Sequence, residues 1–134
     1  MKYYDCEAEG YILLYLFKEL TCDRCLNNEM MILNKNREIS EKLGIDIIIV
    51  FAEITQDEYL SFARLFRIKE ISIVEEVPVL SERFRGIRNP IILFLGHNRH
   101  ILAASISDYY RNEYKSEKFY DKVKIFVQNM DYVN

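Results

Sequence analysis

An uninterrupted apolar run at residues 11–17, Tyr-Ile-Leu-Leu-Tyr-Leu-Phe, constrains this chain more than any other feature. Seven residues with no polar group beyond two tyrosine hydroxyls leave a strand no face that favours water. Such a strand belongs at the centre of a sheet covered on both sides. A second run of the same kind follows at 47–51. Between them the pattern turns helical over 25–43, with Leu26, Met30 and Leu33 on one stripe while Asn27, Asn28, Asn34 and Lys35 stay polar. Gly44 follows Leu43 where a C-capping glycine belongs. Strand, helix of about 20 residues and strand predict a right-handed βαβ unit with parallel strands.

The remaining elements are read in the same way. Thr55 is a predicted N-cap with Glu58 three residues on, and Tyr59, Phe62, Ala63 and Phe66 follow at i, i+3, i+4, i+7. Residues 71–74 form a short β-branched stretch. Pro78 and Gly86 argue against one regular element over 77–88, a connection long enough to carry function. Two apolar strands, 91–95 and 101–104, flank the polar loop Gly96-His97-Asn98-Arg99-His100. Phe119, Val123, Phe126, Val127 and Met130 mark a terminal helix. The expected order is β-α-β-α-β-β-α, with the 71–74 stretch as an optional further strand after the second helix, in one α/β domain over 1–134 with its core at about 10–130: a central mixed sheet flanked by helices.

At 134 residues such a domain buries roughly two-thirds of its unfolded surface, so neither disulfide nor metal is needed to fold it. Its cysteines are thereby free for chemistry. Eighteen basic against 21 acidic residues, in no long blocks of either sign, disfavour nucleic acid as a partner. Apolar runs near seven residues are too short to cross a bilayer. The first residues, Met1-Lys2-Tyr3-Tyr4-Asp5, lack the pattern of a signal peptide, and Cys6 lacks the residues that precede a lipidated cysteine. Either a cytoplasmic chain or a mature fragment fits.

Three cysteines divide naturally into one pair and one single residue, Cys6. The pair is Cys22-Asp23-Arg24-Cys25, between the first apolar run and the first helical stretch. There the unsatisfied amides and positive dipole end of a helix N-terminus favour the first sulfur as thiolate. Arg24 also favours the thiolate and Asp23 opposes it, so both are candidates for tuning its pKa.

The element order, with a dithiol between first strand and first helix, resembles the thioredoxin fold. More narrowly, residues 12–33 and 89–106 resemble the thioredoxin-like thiol-disulfide oxidoreductases of bacterial envelopes, the group that contains TlpA and ResA. The resemblance implies Cys22 as nucleophile and Cys25 as resolving thiol. It implies a cis-proline before the third core strand, a position matched by Asn89-Pro90, whose backbone would pair with substrate. The implied substrate is a protein disulfide, turnover needs a dithiol redox partner, and no cofactor is required. It also implies periplasm or cell envelope, reached by an N-terminal anchor missing from this chain. The family's Trp before the first cysteine and Pro in the motif are replaced by Thr21 and Asp23-Arg24. Reductase, oxidase and isomerase all remain open.

Cys22 and Cys25 as a structural or vestigial pair would make the chain a non-enzymatic interaction domain. A peroxidase would carry threonine where Glu19 stands, three residues before the reactive cysteine. Zinc held by the CxxC pair with His97 and His100 requires ligands that an antiparallel third core strand would keep at opposite ends of the sheet. A Cys6, His97, His100 site is a weaker option than a free cysteine and two surface histidines. Lys18 and Glu19 lie where a charged side chain could move a proton, although solvated side chains are the ordinary expectation there. Tyr3, Tyr4, Tyr109, Tyr110, Tyr114 and Tyr120 are expected to pack core and edges, with Tyr109-Tyr110 as a possible partner-facing pair.

Overall fold

A computed structural model of the chain describes residues 10–18, 23–86, 91–106 and 112–133. The elements are β1 (Tyr11–Lys18), α1 (Asp23–Lys42), β2 (Ile45–Ala52), α2 (Gln56–Leu65), β3 (Ile71–Val74), α3 (Val79–Arg83), β4 (Ile91–Leu95), β5 (Ile101–Ile106) and α4 (Asn112–Val133). Five strands form one mixed sheet in the order β3-β2-β1-β4-β5. β1 is central and fully buried from Tyr11 to Phe17, as its unbroken apolar run demands. β2 runs parallel to it, β3 runs parallel to β2, and β4 runs antiparallel to β1. This is the expected α/β architecture.

Alternating side chains divide the core into two layers. Tyr11, Leu13, Tyr15 and Phe17 face α1, α2 and α4, packing with Met30, Leu33, Phe62, Tyr120, Val123 and Val127. Ile12, Leu14 and Leu16 join Ile48, Val50, Leu93 and Leu95 on the other face. The division follows from chain direction. The steps β1 to β2 and β2 to β3 move the same way across the sheet, so right-handed crossovers put α1 and α2 on one face. The opposite face receives Leu80 of α3 and the partly buried Phe84, and α3 is the only helix among the described residues that contributes to it.

Residues 77–88 depart from the irregular segment expected of them, because α3 makes one helical turn there. Pro78 at φ −75° leads into that turn without donating an amide. A Glu75 Oε2 at 3.0 Å accepts from the Leu80 amide, and burial of Leu80 against the sheet holds the turn down. The turn ends with Phe84 as its C-cap, and Gly86 follows at φ +80°, a conformation that side-chain-bearing residues avoid. Within the described part of the segment, residues 77–86, five residues are helical and the others are not.

β5 extends to Ile106, two residues beyond the expected strand, and occupies the sheet edge among the described residues. A register shift at Phe94/Leu95 accompanies its pairing with β4. In α4 the buried stripe is Phe119, Tyr120, Val123 and Val127, whereas Phe126 is more exposed and lays its ring against Tyr11 and Phe94.

Candidate functional site

The dithiol lies where β1 gives way to α1. β1 ends at Lys18 and α1 begins at Asp23, two residues earlier than the periodicity from Cys25 suggests. Asp23, Arg24 and Cys25 therefore belong to the first turn of α1, and Cys22 directly precedes it in sequence. Cys22, Glu19, Thr21, Cys6, Asn89 and Pro90 all lie outside the described residues, as do Tyr3, Tyr4, Tyr109 and Tyr110.

The sheet around this junction is firmly built. Phe17 stacks on Phe51 at 5.6 Å, and Phe62 meets both rings at 5.5 and 5.4 Å. Tyr59 approaches Phe51 at 5.0 Å and Phe66 approaches Phe62 at 4.6 Å. These five rings secure the ends of β1 and β2 from which α1 and α2 are approached. β4 starts with Ile91 opposite Leu16, so the chain enters β4 at the end of the sheet where β1 leaves it. That antiparallel register is the one the sequence reading required of the strand following Asn89-Pro90.

Lys18 is half-buried rather than simply solvated, and its Nζ donates to the Phe84 carbonyl at 2.7 Å. The contact ties the end of β1 to the end of α3. Burial of the lysine's stem with its head on a carbonyl is the usual compromise for a long cation at a sheet end.

One further group near the junction was missed in the sequence. Glu29 is 1% exposed, in the second turn of α1 and one turn beyond Cys25. Positions 25 and 29 share a helix face by their i, i+4 spacing. The signal was available: Glu29 lies three residues after Leu26 and four before Leu33, on the apolar stripe itself. A carboxylate inside such a stripe is costly unless it is bonded, which marks it as a functional candidate.

The two histidines belong elsewhere. His97 lays its ring edge-on to Tyr11 at 4.5 Å, beside the first residue of β1, whereas α1 begins beyond the last. The length of β1 separates the histidine loop from the start of α1. Among the described residues no helix is long and apolar enough to cross a membrane.

No protein-family model matches the chain, and no curated sequence matches it. Solved structures do. A thioredoxin candidate from Neisseria meningitidis superposes with a TM-score of 0.70 at 12% identity, over 95% of this chain and 81% of that one. A thiol:disulfide interchange protein from a Bacteroides species gives 0.66 at 15% identity, over 91% and 76%. The thioredoxin domain of a thiol-disulfide oxidoreductase from Bacteroides vulgatus gives 0.65 at 16%, over 84% and 80%. The chain therefore has the thioredoxin-like fold.

Proposed function

We propose that this chain is a thiol-disulfide oxidoreductase acting on protein disulfides through Cys22 and Cys25. The observation that carries the reading is the position of the motif: Cys22-x-x-Cys25 bridges the central strand and the first helix of a thioredoxin-like sheet. Helix-start amides and the dipole lower the cost of a thiolate there, and the thiolate is the attacking species.

In the reducing direction the Cys22 thiolate attacks one sulfur of a substrate disulfide. An S–S bond to Cys22 forms, the substrate S–S bond breaks, and the departing substrate sulfur takes a proton. Cys25, as thiolate, then attacks the Cys22 sulfur, forms the Cys22–Cys25 disulfide and releases the second substrate thiol. Two electrons have passed to the substrate, and an external dithiol must restore them. Asn89 and Pro90, which precede β4, would present backbone to an extended substrate segment as an added strand. Asp23 and Arg24 would adjust the thiolate from opposite sides.

Insulin reduction tests this reading. Wild type is expected to accelerate turbidity in the presence of a dithiol, and Cys22→Ser to abolish the acceleration. Cys25→Ser is expected to retain attack but accumulate a covalent mixed disulfide visible on a non-reducing gel. Equal inertness of wild type and Cys22→Ser, with a Cys22/Cys25 couple that glutathione cannot cycle, would overturn it in favour of a non-enzymatic interaction domain.

A further inference from the structure

The lightly covered face of the sheet carries a cavity of about 320 Å³ between α3 and the β4–β5 turn. Its floor is Leu14, Leu93 and Leu95, all buried, and Leu80 and Phe84 of the α3 segment form one wall. The other wall is built by Ile101 at the start of β5. Arg83, Arg99 and His100 complete the lining, to which no carboxylate contributes among the described residues. From this geometry we infer that the cavity binds an amphipathic carboxylate, an acyl chain bearing one acid headgroup, independently of the dithiol.

Three observations converge on that ligand. The volume falls at the small-molecule end of the range, about 300–1,000 Å³, in which ligand sites occur. The apolar floor continues along the sheet: β5 pairs Ile101 with Leu95, Ala104 with Leu93 and Ile106 with Ile91, so these residues share the cavity's face. Ile101 and Ile106 are 48% and 44% exposed, and an acyl chain laid along them would shelter both. The charge supplies the head-group preference. Two arginines from different elements, Arg83 and Arg99, line the cavity of a chain whose net charge is −3, and guanidinium matches carboxylate in shape and charge.

Arg99 is set in place by the turn itself. It takes φ +64°, its amide donates to Gly96 O at 2.9 Å, and its Nη1 donates to the Gly10 and His97 carbonyls at 3.3 Å. Arg83, the last residue of α3, lines the same cavity. A hydrocarbon without a charge would satisfy the floor alone. A small hydrophilic anion would satisfy the rim alone.

Octanoate provides the probe, with octan-1-ol and propionate as controls, titrated into the full chain by calorimetry and amide chemical shifts. Octanoate is expected to bind saturably with shifts confined to α3, the β4–β5 turn and β5, and at least tenfold more tightly than either control. Arg83→Gln, at an exposed site, is expected to weaken octanoate three- to tenfold and leave octan-1-ol unchanged. Ile101→Phe, which fills one wall, is expected to weaken both. Thermal melting of each variant shows that it is folded, and Cys22→Ser is expected to bind octanoate as wild type does. Equal binding of octanoate and octan-1-ol, or indifference to both substitutions in folded variants, overturns the inference. So does self-association relieved by Ile101→Phe without saturable octanoate binding, which would make the face a contact between copies.

Discussion

The hydroxyls of Tyr15 and Tyr120 are buried without a hydrogen-bond partner among the described residues. Each phenol ring is nevertheless well used: Tyr15 stacks toward Phe17 at 6.4 Å, and Tyr120 packs edge-on to Phe119 at 6.1 Å. The ring's burial outweighs an unsatisfied oxygen, whose cost is about 1–3 kcal/mol. Burial also pushes the Tyr120 phenol well above its usual pKa. The folded state therefore holds its proton more tightly than the unfolded state does. The stability linked to that proton is complete below the unfolded value of about 10 and falls as pH climbs from there toward the folded value. Tyr120→Phe is expected to equal or exceed wild type by up to about 1 kcal/mol near neutral pH, and to lose less stability between pH 8 and 11. Urea midpoints across that range check it, and parallel alkaline losses in the two proteins would count against it. Glu29 is the other lesson at this scale, because its place on the apolar stripe was readable while its burial depended on what α1 packs against.

Individual elements hold their ends by local chemistry. The Glu58 amide donates to Thr55 Oγ1 at 3.2 Å, and the Thr55 amide donates to Glu58 Oε1 at 3.1 Å, completing the capping box that its sequence spacing announced. Thr55→Ala is expected to cost about 1 kcal/mol in a denaturant titration, with the m-value unchanged. Gly44 closes α1 at φ +71°, its amide donating to Glu41 O at 3.1 Å. Gly10 matters for a different reason: a Cβ there would sit 2.8 Å from the Gly44 carbonyl, backbone that cannot easily move. Gly10→Ala is accordingly expected to destabilise by about 1–3 kcal/mol through overpacking, against only a few tenths for a surface substitution. A thermal midpoint within 1 °C of wild type would show that the segments leading into β1 and β2 separate freely. The capping box and Gly44 were legible because both are local patterns. α3 was not, since its single turn depends on Glu75 reaching the Leu80 amide and on Leu80 finding the sheet.

At the scale of the whole molecule, β1 is the residue set on which both layers close. Phe17 is fully buried among Phe51 and Phe62, so Phe17→Ala is expected to cost about 3–5 kcal/mol, as large aromatic deletions do. An unfolding free energy within 1 kcal/mol of wild type would show that the aromatic cluster collapses around the gap. Because that cluster lies at the end of the sheet where α1 starts, the same variant should also blunt any activity that needs the Cys22–Cys25 junction. Arg37 and Glu70 add a second long-range tie, a bidentate pair at 2.7 Å for both bonds between α1 and the approach to β3. What this chain's sequence determined by itself was everything set by short spacings: continuous buried runs for β1 and β2, the helical stripe of α1, the Thr55 cap and the place of the dithiol between strand and helix. Hydrophobic periodicity and capping act within a few residues, so they can be read along the chain. Only the tertiary structure decided which sheet face stays thinly covered, that Glu29 is buried, and that Leu14, Leu80, Leu93 and Arg99 line one cavity. Those outcomes depend on strand order and crossover direction, which bring together residues dozens of positions apart whose local sequences carry no mark of one another.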